Sequence, residues 1–179
     1  MQLLVPNEVL ASVRDIDIEA LKLQNIKGLL IDLDNTLVDW DKSEIEPRLA
    51  QWVAEVLRQG MAVCLVSNAV PKRVKVFSDQ LGVPAVSRAL KPLPRAFRLG
   101  LKKLGLQPHE AAVVGDQIFT DVLGGNRLGL YTILINPLST RELRSTSFMR
   151  RLEKRMLKRM AQRGLLTETA LKIRGRRGQ

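Results

Sequence analysis

The chain alternates short apolar runs with longer stretches whose apolar residues recur every three or four positions. Gly28-Leu29-Leu30-Ile31, Met61–Val66, Ala111–Val114 and Tyr131–Ile135 are bounded by turn residues and read as strands buried on both faces. A shorter run, Val83–Val86, reads as one more. Helical patterns lie between them. Pro47 opens the first, with Leu49, Trp52, Val53, Val56 and Leu57 on one face and Gly60 as its stop. Val74, Phe77 and Leu81 mark a second, closed by Gly82; Leu93, Phe97, Leu101 and Leu104 mark a third, before Gly105. Thr120–Leu128 is a fourth. Residues 3–26 hold no firm period, and only Ile18–Leu23 suggests a short helix. Strands alternating with single helices predict an α/β fold, a parallel sheet with helices on both faces. The domain is expected over residues 1–140, followed by a tail over 141–179.

Charge sharpens that division. Residues 1–140 carry 16 basic and 15 acidic side chains, whereas 141–179 carry 13 basic and three acidic ones, Glu142, Glu153 and Glu168. Within the tail, Phe148, Met149, Leu152, Met156 and Met160 recur at helical spacing. Arg150, Arg151, Lys154 and Lys158 lie opposite, flanked by Arg155, Arg159 and Arg163. Such a helix suits an anionic membrane surface, especially over residues 141–163. It could instead dock its apolar stripe on the domain, or bind nucleic acid through the same charges.

A hydrophobic fraction of 45% in 179 residues describes a globular chain of one domain rather than a disordered one. The single Cys64 excludes an internal disulfide framework and reads as a buried thiol of a reducing, cytoplasmic compartment. The first residues, Met1–Glu8, lack a basic leader followed by an apolar segment, so no secretory signal is expected. No run approaches the roughly 18 apolar residues of a membrane span.

The candidate chemistry sits just past the strand ends. Asp32 and Asp34, spaced i, i+2 after Gly28–Ile31, project to the same face of an extended backbone. Two acids that close repel, and a divalent cation relieves them. One carboxylate can then attack phosphorus while the other handles the leaving-group proton. Ser67-Asn68, Lys91 and Asp116/Asp121 follow the later strands. Together they offer a hydroxyl and amides for phosphate oxygens, an ammonium for charge, and further acids for a cation. Each has a plainer reading alone, as an acidic loop, a turn, a solvated lysine or a helix-capping aspartate. Four in order at one sheet edge favour the chemical one.

Asp32-Leu33-Asp34-Asn35-Thr36-Leu37, Ser67-Asn68, Lys91-Pro92 and Gly115-Asp116-Gln117-Ile118-Phe119-Thr120-Asp121 resemble the four motifs of the haloacid dehalogenase (HAD) superfamily. The continuation Val122–Gly129 is similar to the YqeG-type branch of subfamily III, which includes phosphatidylglycerophosphatases. The resemblance spans about residues 3–138 and implies a Rossmann-like fold and a Mg²⁺-dependent phosphatase. It gives Asp32 the role of nucleophile, forming an aspartyl-phosphate, and Asp34 that of general acid and base, with its carbonyl on the metal. Thr36 would support the motif. Ser67, Asn68 and Lys91 would hold the phosphoryl group, Asp116 would ligate Mg²⁺, and Asp121 would act from the outer shell. The gaps between motifs are too short for the superfamily's cap domains, so the site is expected to be capless and open to a phosphomonoester on a large carrier. The substrate expected is phosphatidylglycerophosphate, met by a protein peripheral to the inner face of a membrane. Alternatives are another large carrier, such as a polynucleotide end or phosphoprotein, or a nucleic-acid-binding module using the tail. Trp40 is read first as packing beneath a flap over residues 38–44, and second as touching substrate or bilayer. His109, the sole histidine, is expected to be exposed and uninvolved.

Overall fold

A computed structural model describes residues 2–139 and 144–175. Its six strands are β1 (Glu8–Leu10), β2 (Gly28–Ile31), β3 (Ala62–Val66), β4 (Ala85–Val86), β5 (Ala111–Gly115) and β6 (Tyr131–Ile135). They form one sheet in the order β1-β6-β5-β2-β3-β4, and every pairing is parallel.

Successive residues of each strand serve opposite layers, as the two-residue period of a strand requires. Leu29, Ile31, Val63, Leu65, Ala112 and Val114 belong to one apolar layer. It is covered by α1 (Ile18–Leu23), α2 (Pro47–Arg58) and α3 (Pro71–Leu81), which bring Leu21, Val53, Val56, Val74 and Phe77. Leu30, Cys64, Val66 and Val113 belong to the other, beneath Phe97 and Leu101 of α4 (Pro94–Leu104). Burial pushes the Cys64 thiol up to about 12, so it is an inert filler of this layer. Each fully buried Phe or Leu contributes about 1.5–3 kcal/mol to holding a helix on the sheet. Prolines open α2, α3 and α4 at their first turns, and Gly82 and Gly105 close the last two with φ of 65° and 68°.

The sheet and its helices match the expected α/β fold, and no domain is inserted between β2 and β3 or between β3 and α4. Five details differ. Leu57, expected on the inward face of α2, is 37% exposed in its last turn. β1 escapes the period analysis because three partly buried edge residues are too few to show one. Leu93, expected inward, is 52% exposed, because it stands extended before α4 begins at Pro94. Trp52, expected in the core, is partly buried and packs against the first layer from its edge. The helix expected from Thr120 begins earlier, as a π-helical turn over Ile118–Val122 that runs into α5 (Leu123–Asn126).

Beyond β6 lie α6 (Arg144–Gln162) and α7 (Glu168–Gly175). Leu157 of α6 joins Ile118, Val122 and Leu134 in a third apolar cluster, with Leu171 of α7 packed against it. The buried edge of α6 runs through Glu153, Leu157 and Met160, so Leu152, expected in the apolar stripe, is 38% exposed. The side chains of Phe148, Met149 and Arg150 lie outside the described residues. Among the described residues, no helix is long and apolar enough to cross a membrane.

Candidate active site

The central strands β5, β2 and β3 bring Val114 and Leu65 level with Ile31. Asp32, Asp116 and Ser67 therefore leave the same edge of the sheet within about a residue of one another, at its carboxyl end, where open α/β sheets bind ligands. Asp121 reaches the same point from the π-helical turn. Gly115 makes this possible: a Cβ there would come within 2.3 Å of the Asp121 carboxylate.

The resulting cluster is buried. Lys91 Nζ donates to Asp32 Oδ1 at 2.5 Å and to Asp121 Oδ1 at 2.6 Å. Carboxylate oxygens of Asp32, Asp116 and Asp121 lie within 4.8 Å of one another. Asp32 and Asp121 share that ammonium and Asp116 stands beside them, all three out of contact with water. Burial pushes the Asp32 carboxyl up, Asp121 and Asp116 push the same way, and Lys91 only partly offsets them, so it titrates at about 8. Burial alone would lower Lys91, but Asp121 and Asp32 outweigh it and hold the ammonium charged above its usual range. Three buried carboxylates this close form an all-oxygen donor set that fits a hard divalent cation, Mg²⁺ among them.

Around the cluster, Thr36 Oγ1 stands 3.5 Å from Asp32 Oδ2, a long contact. The Ser67 hydroxyl is buried and accepts from the Ala69 N–H at 3.1 Å. Asn68 does more than lend its backbone, because its Oδ1 accepts from the Lys91 N–H at 2.8 Å and so fixes the lysine's turn. Asp121 Oδ2 accepts from Gln117 N–H and Thr120 Oγ1, each at 3.2 Å. An open cleft of about 390 Å³ rises above these groups. Trp40 forms part of its wall and is 40% exposed. His109 is exposed at the amino end of β5, across the sheet from the cleft.

Asp34 stands outside the three-acid group, partly exposed, and lines the same cleft. Its Oδ1 accepts from Arg73 Nε at 2.8 Å. The same guanidinium donates to the carbonyls of Lys42 at 2.7 Å and Asp39 at 3.0 Å, and lies over the Phe77 ring. Arg73 thus ties the flap, the Asp34 side chain and α3 together, a role that sequence reasoning missed. A signal existed. Lys72 and Arg73 occupy the first turn of α3, where the helix dipole disfavours cations, so a local acceptor was called for.

A family model for haloacid dehalogenase-like hydrolases matches residues 39–129, beginning just past the Asp32–Leu37 motif. Over 160 residues the chain is 41% identical to the probable phosphatase YqeG of Bacillus subtilis (strain 168), covering 89% of this chain and 93% of that protein. The chain belongs to the haloacid dehalogenase-like hydrolases. Within them this HAD phosphatase falls in the YqeG branch. It is 31% identical to phosphatidylglycerophosphate phosphatase 1, chloroplastic/mitochondrial, of Arabidopsis thaliana, over 92% of this chain but only 50% of that protein. It is 30% identical to phosphatidylglycerophosphatase GEP4, mitochondrial, of Saccharomyces cerevisiae (strain ATCC 204508 / S288c), over 70% of this chain and 79% of that protein. The sheet also superposes on the cobalt-bound deoxy-D-mannose-octulosonate 8-phosphate phosphatase (YrbI) of Haemophilus influenzae with a TM-score of 0.51. The identity there is 21%, over 64% of this chain and 70% of that one, a likeness of fold alone.

The tight packing at Gly115 yields a prediction for the HAD phosphatase. Gly115→Ala must push Asp121 off Lys91, since the added methyl has no other room. A misplacement of about 1 Å near the chemistry costs on the order of 10²-fold in rate. Phosphate release from a small aryl phosphate should fall by about that factor while the circular dichroism spectrum stays native. Unchanged turnover would show that Asp121 need not sit where it does.

Proposed function

We propose that this HAD phosphatase is a Mg²⁺-dependent phosphomonoesterase that works through an aspartyl-phosphate on Asp32 and takes phosphatidylglycerophosphate to phosphatidylglycerol. The observation that carries the reading is the buried trio of acids around Lys91 at the mouth of an uncapped cleft. Asp32, Asp116 and the Asp34 carbonyl would hold Mg²⁺, with Asp121 behind them, and the ion would supply charge neutralisation for the phosphoryl group.

The chain's own residues carry the rest. Ser67, the Asn68 backbone and the Lys91 ammonium bind phosphoryl oxygens, and Thr36 steadies the Asp32 loop. An Asp32 carboxylate oxygen attacks phosphorus, the bond from phosphorus to the ester oxygen breaks, and Asp34 gives that oxygen its proton. In the second half, water attacks the same phosphorus, Asp34 takes the water's proton, and the phosphorus–Asp32 bond breaks to free phosphate. Arg73 aims Asp34 at the cleft throughout.

Two features favour a lipid carrier. Several relatives bear the name phosphatidylglycerophosphate phosphatase or phosphatidylglycerophosphatase. The outward face of α6 also presents Arg151, Lys154, Arg155, Lys158 and Arg159, all exposed, beside a domain that is otherwise nearly neutral. With Leu157 and Met160 turned inward, this 141–179 tail would meet an anionic membrane by charge rather than by inserting an apolar stripe. Each basic residue near such a surface contributes about 1 kcal/mol. The protein would then work as a peripheral enzyme at the inner face of a membrane.

The test is phosphate release across phosphatidylglycerophosphate in vesicles, a 3′-phosphorylated oligonucleotide, a phosphopeptide and sugar phosphates. The lipid should be turned over fastest. In parallel, phosphatidylglycerol vesicles should retain the protein, less so at 1 M salt, where the Debye length is about 3 Å. The triple variant Arg151→Glu, Lys154→Glu, Lys158→Glu should release it without slowing turnover of a soluble phosphoester. Faster release from the oligonucleotide or peptide overturns the substrate assignment, wild-type protein that is not retained overturns the membrane contact, and retention of the triple variant overturns its assignment to α6.

A further inference from the structure

Glu153 is the sole acid between Arg151 and Arg163, amid six basic residues, and it is the one that points inward. It is 2% exposed, and its Oε1 accepts from the Ile118 N–H at 2.7 Å. Ile118 opens the π-helical turn that carries Asp121, and Asp116 stands two residues before it. The apolar cluster of Ile118, Val122, Leu134 and Leu157 lies between that turn and α6.

Such a position is a costly one for a carboxylate. Burying an ionised group is unfavourable unless hydrogen bonds compensate it, and a leucine or methionine would suit an apolar interface better. What the carboxylate supplies and they cannot is a strong acceptor for a backbone N–H at the start of a helical turn, where such groups lack partners within the turn. The bond falls inside the loop that presents two of the three clustered acids. Loss of a group that holds metal ligands in place commonly costs about 10- to 100-fold in metal affinity.

We infer that Glu153 is a positioning residue for the acidic cluster: it reaches from the C-terminal helix to Ile118 N–H and fixes the loop that sets Asp116 and Asp121 against Asp32 and Lys91. The inference rests on the reading of that cluster as a Mg²⁺ site. It makes α6 a structural part of the site as well as a bearer of surface charge.

Three full-length variants test it against the wild type. Glu153→Ala removes the acceptor, Glu153→Gln keeps it without the charge, and Leu157→Ala loosens the same helix without touching Ile118. Mg²⁺ binding is measured by calorimetry, and exchange of the Ile118 amide hydrogen by NMR. Glu153→Ala should weaken Mg²⁺ binding by about tenfold or more and speed Ile118 exchange. Glu153→Gln should restore most of both, and Leu157→Ala should lower the melting temperature with Mg²⁺ affinity within about threefold of wild type. If Glu153→Ala binds Mg²⁺ like wild type, or if Leu157→Ala loses as much affinity, the positioning role is overturned. Wild-type protein that takes up no Mg²⁺ overturns the metal reading itself, a distinguishable result.

Discussion

Asp32→Asn should abolish phosphate release, by a factor on the order of 10⁶, the scale on which enzymes lose rate when their attacking group is removed. The amide is nearly isosteric and can still accept from Lys91 Nζ, which stands 2.5 Å from the native Oδ1, so the loss would come from chemistry rather than collapse. An amide oxygen is a poor nucleophile toward phosphorus. Asp34→Asn should behave differently. Its side chain lies outside the acidic cluster and is held by Arg73 at 2.8 Å, so its loss removes proton transfer in both half-reactions, at about 10²–10⁴-fold. Because release of phosphate from Asp32 needs a base, the Asp34→Asn enzyme should accumulate phosphorylated Asp32 on rapid acid quench, visible by peptide mass spectrometry. Wild-type rates in Asp32→Asn, or phosphate on another residue, would refute the assignment.

Much of this arrangement can be read from the chain because most of the candidate site positions follow a strong local pattern. Strands buried on both faces produce continuous apolar runs, and the residue that ends such a run must lie at the sheet edge. Asp32, Ser67 and Asp116 are therefore placed by periodicity alone. Lys91 comes from a loop, and its contact with Asp32 spans 59 residues of sequence, so only its company with the other motifs marks it. What stayed hidden depends on tertiary approach. Arg73 looks like any helix-surface cation until the flap folds over it. Glu153 looks like a solvated charge in a basic helix, because a single inward position cannot be told from its neighbours until the helix has a docking partner. The amphipathic period of the tail was visible, but its phase was not: Leu152 and Glu153 exchange the places that hydrophobicity would give them. Trp40 illustrates the same limit, since a flap too short for a period leaves its aromatic residue without an assigned face.

The burial of Asp32 beside Asp121 and Asp116 makes stability depend on pH. Asp32 has an ordinary value of 3.8 and titrates at about 8 in the fold, raised first by burial. Between those values the native protein holds a proton that the unfolded chain has released. Metal-free protein should therefore lose stability as pH rises through that window, by up to about 1.4 kcal/mol per unit, and level off above about 8. Lys91 is raised above 10.5, so its contribution is constant over the same range and is lost only at higher pH. Glu110, lowered from 4.5 by its hydrogen bond to Lys27, acts only at the acid end. A divalent cation on the cluster needs Asp32 ionised, so Mg²⁺ should bind more weakly as pH falls below about 8 and release up to one proton on binding. At a hundredfold excess over its dissociation constant, Mg²⁺ should return about 2.7 kcal/mol of stability. Thermal denaturation from pH 5 to 8 in EDTA and in Mg²⁺, beside calorimetry in buffers of differing ionisation enthalpy, measures all of this. Asp32→Asn should flatten the EDTA profile, and Asp116→Ala should remove both the Mg²⁺ stabilisation and the turnover. A metal-free profile that is already flat would mean that Asp32 is ionised in the fold, and full activity in excess EDTA would mean that the three buried acids hold no ion needed for turnover.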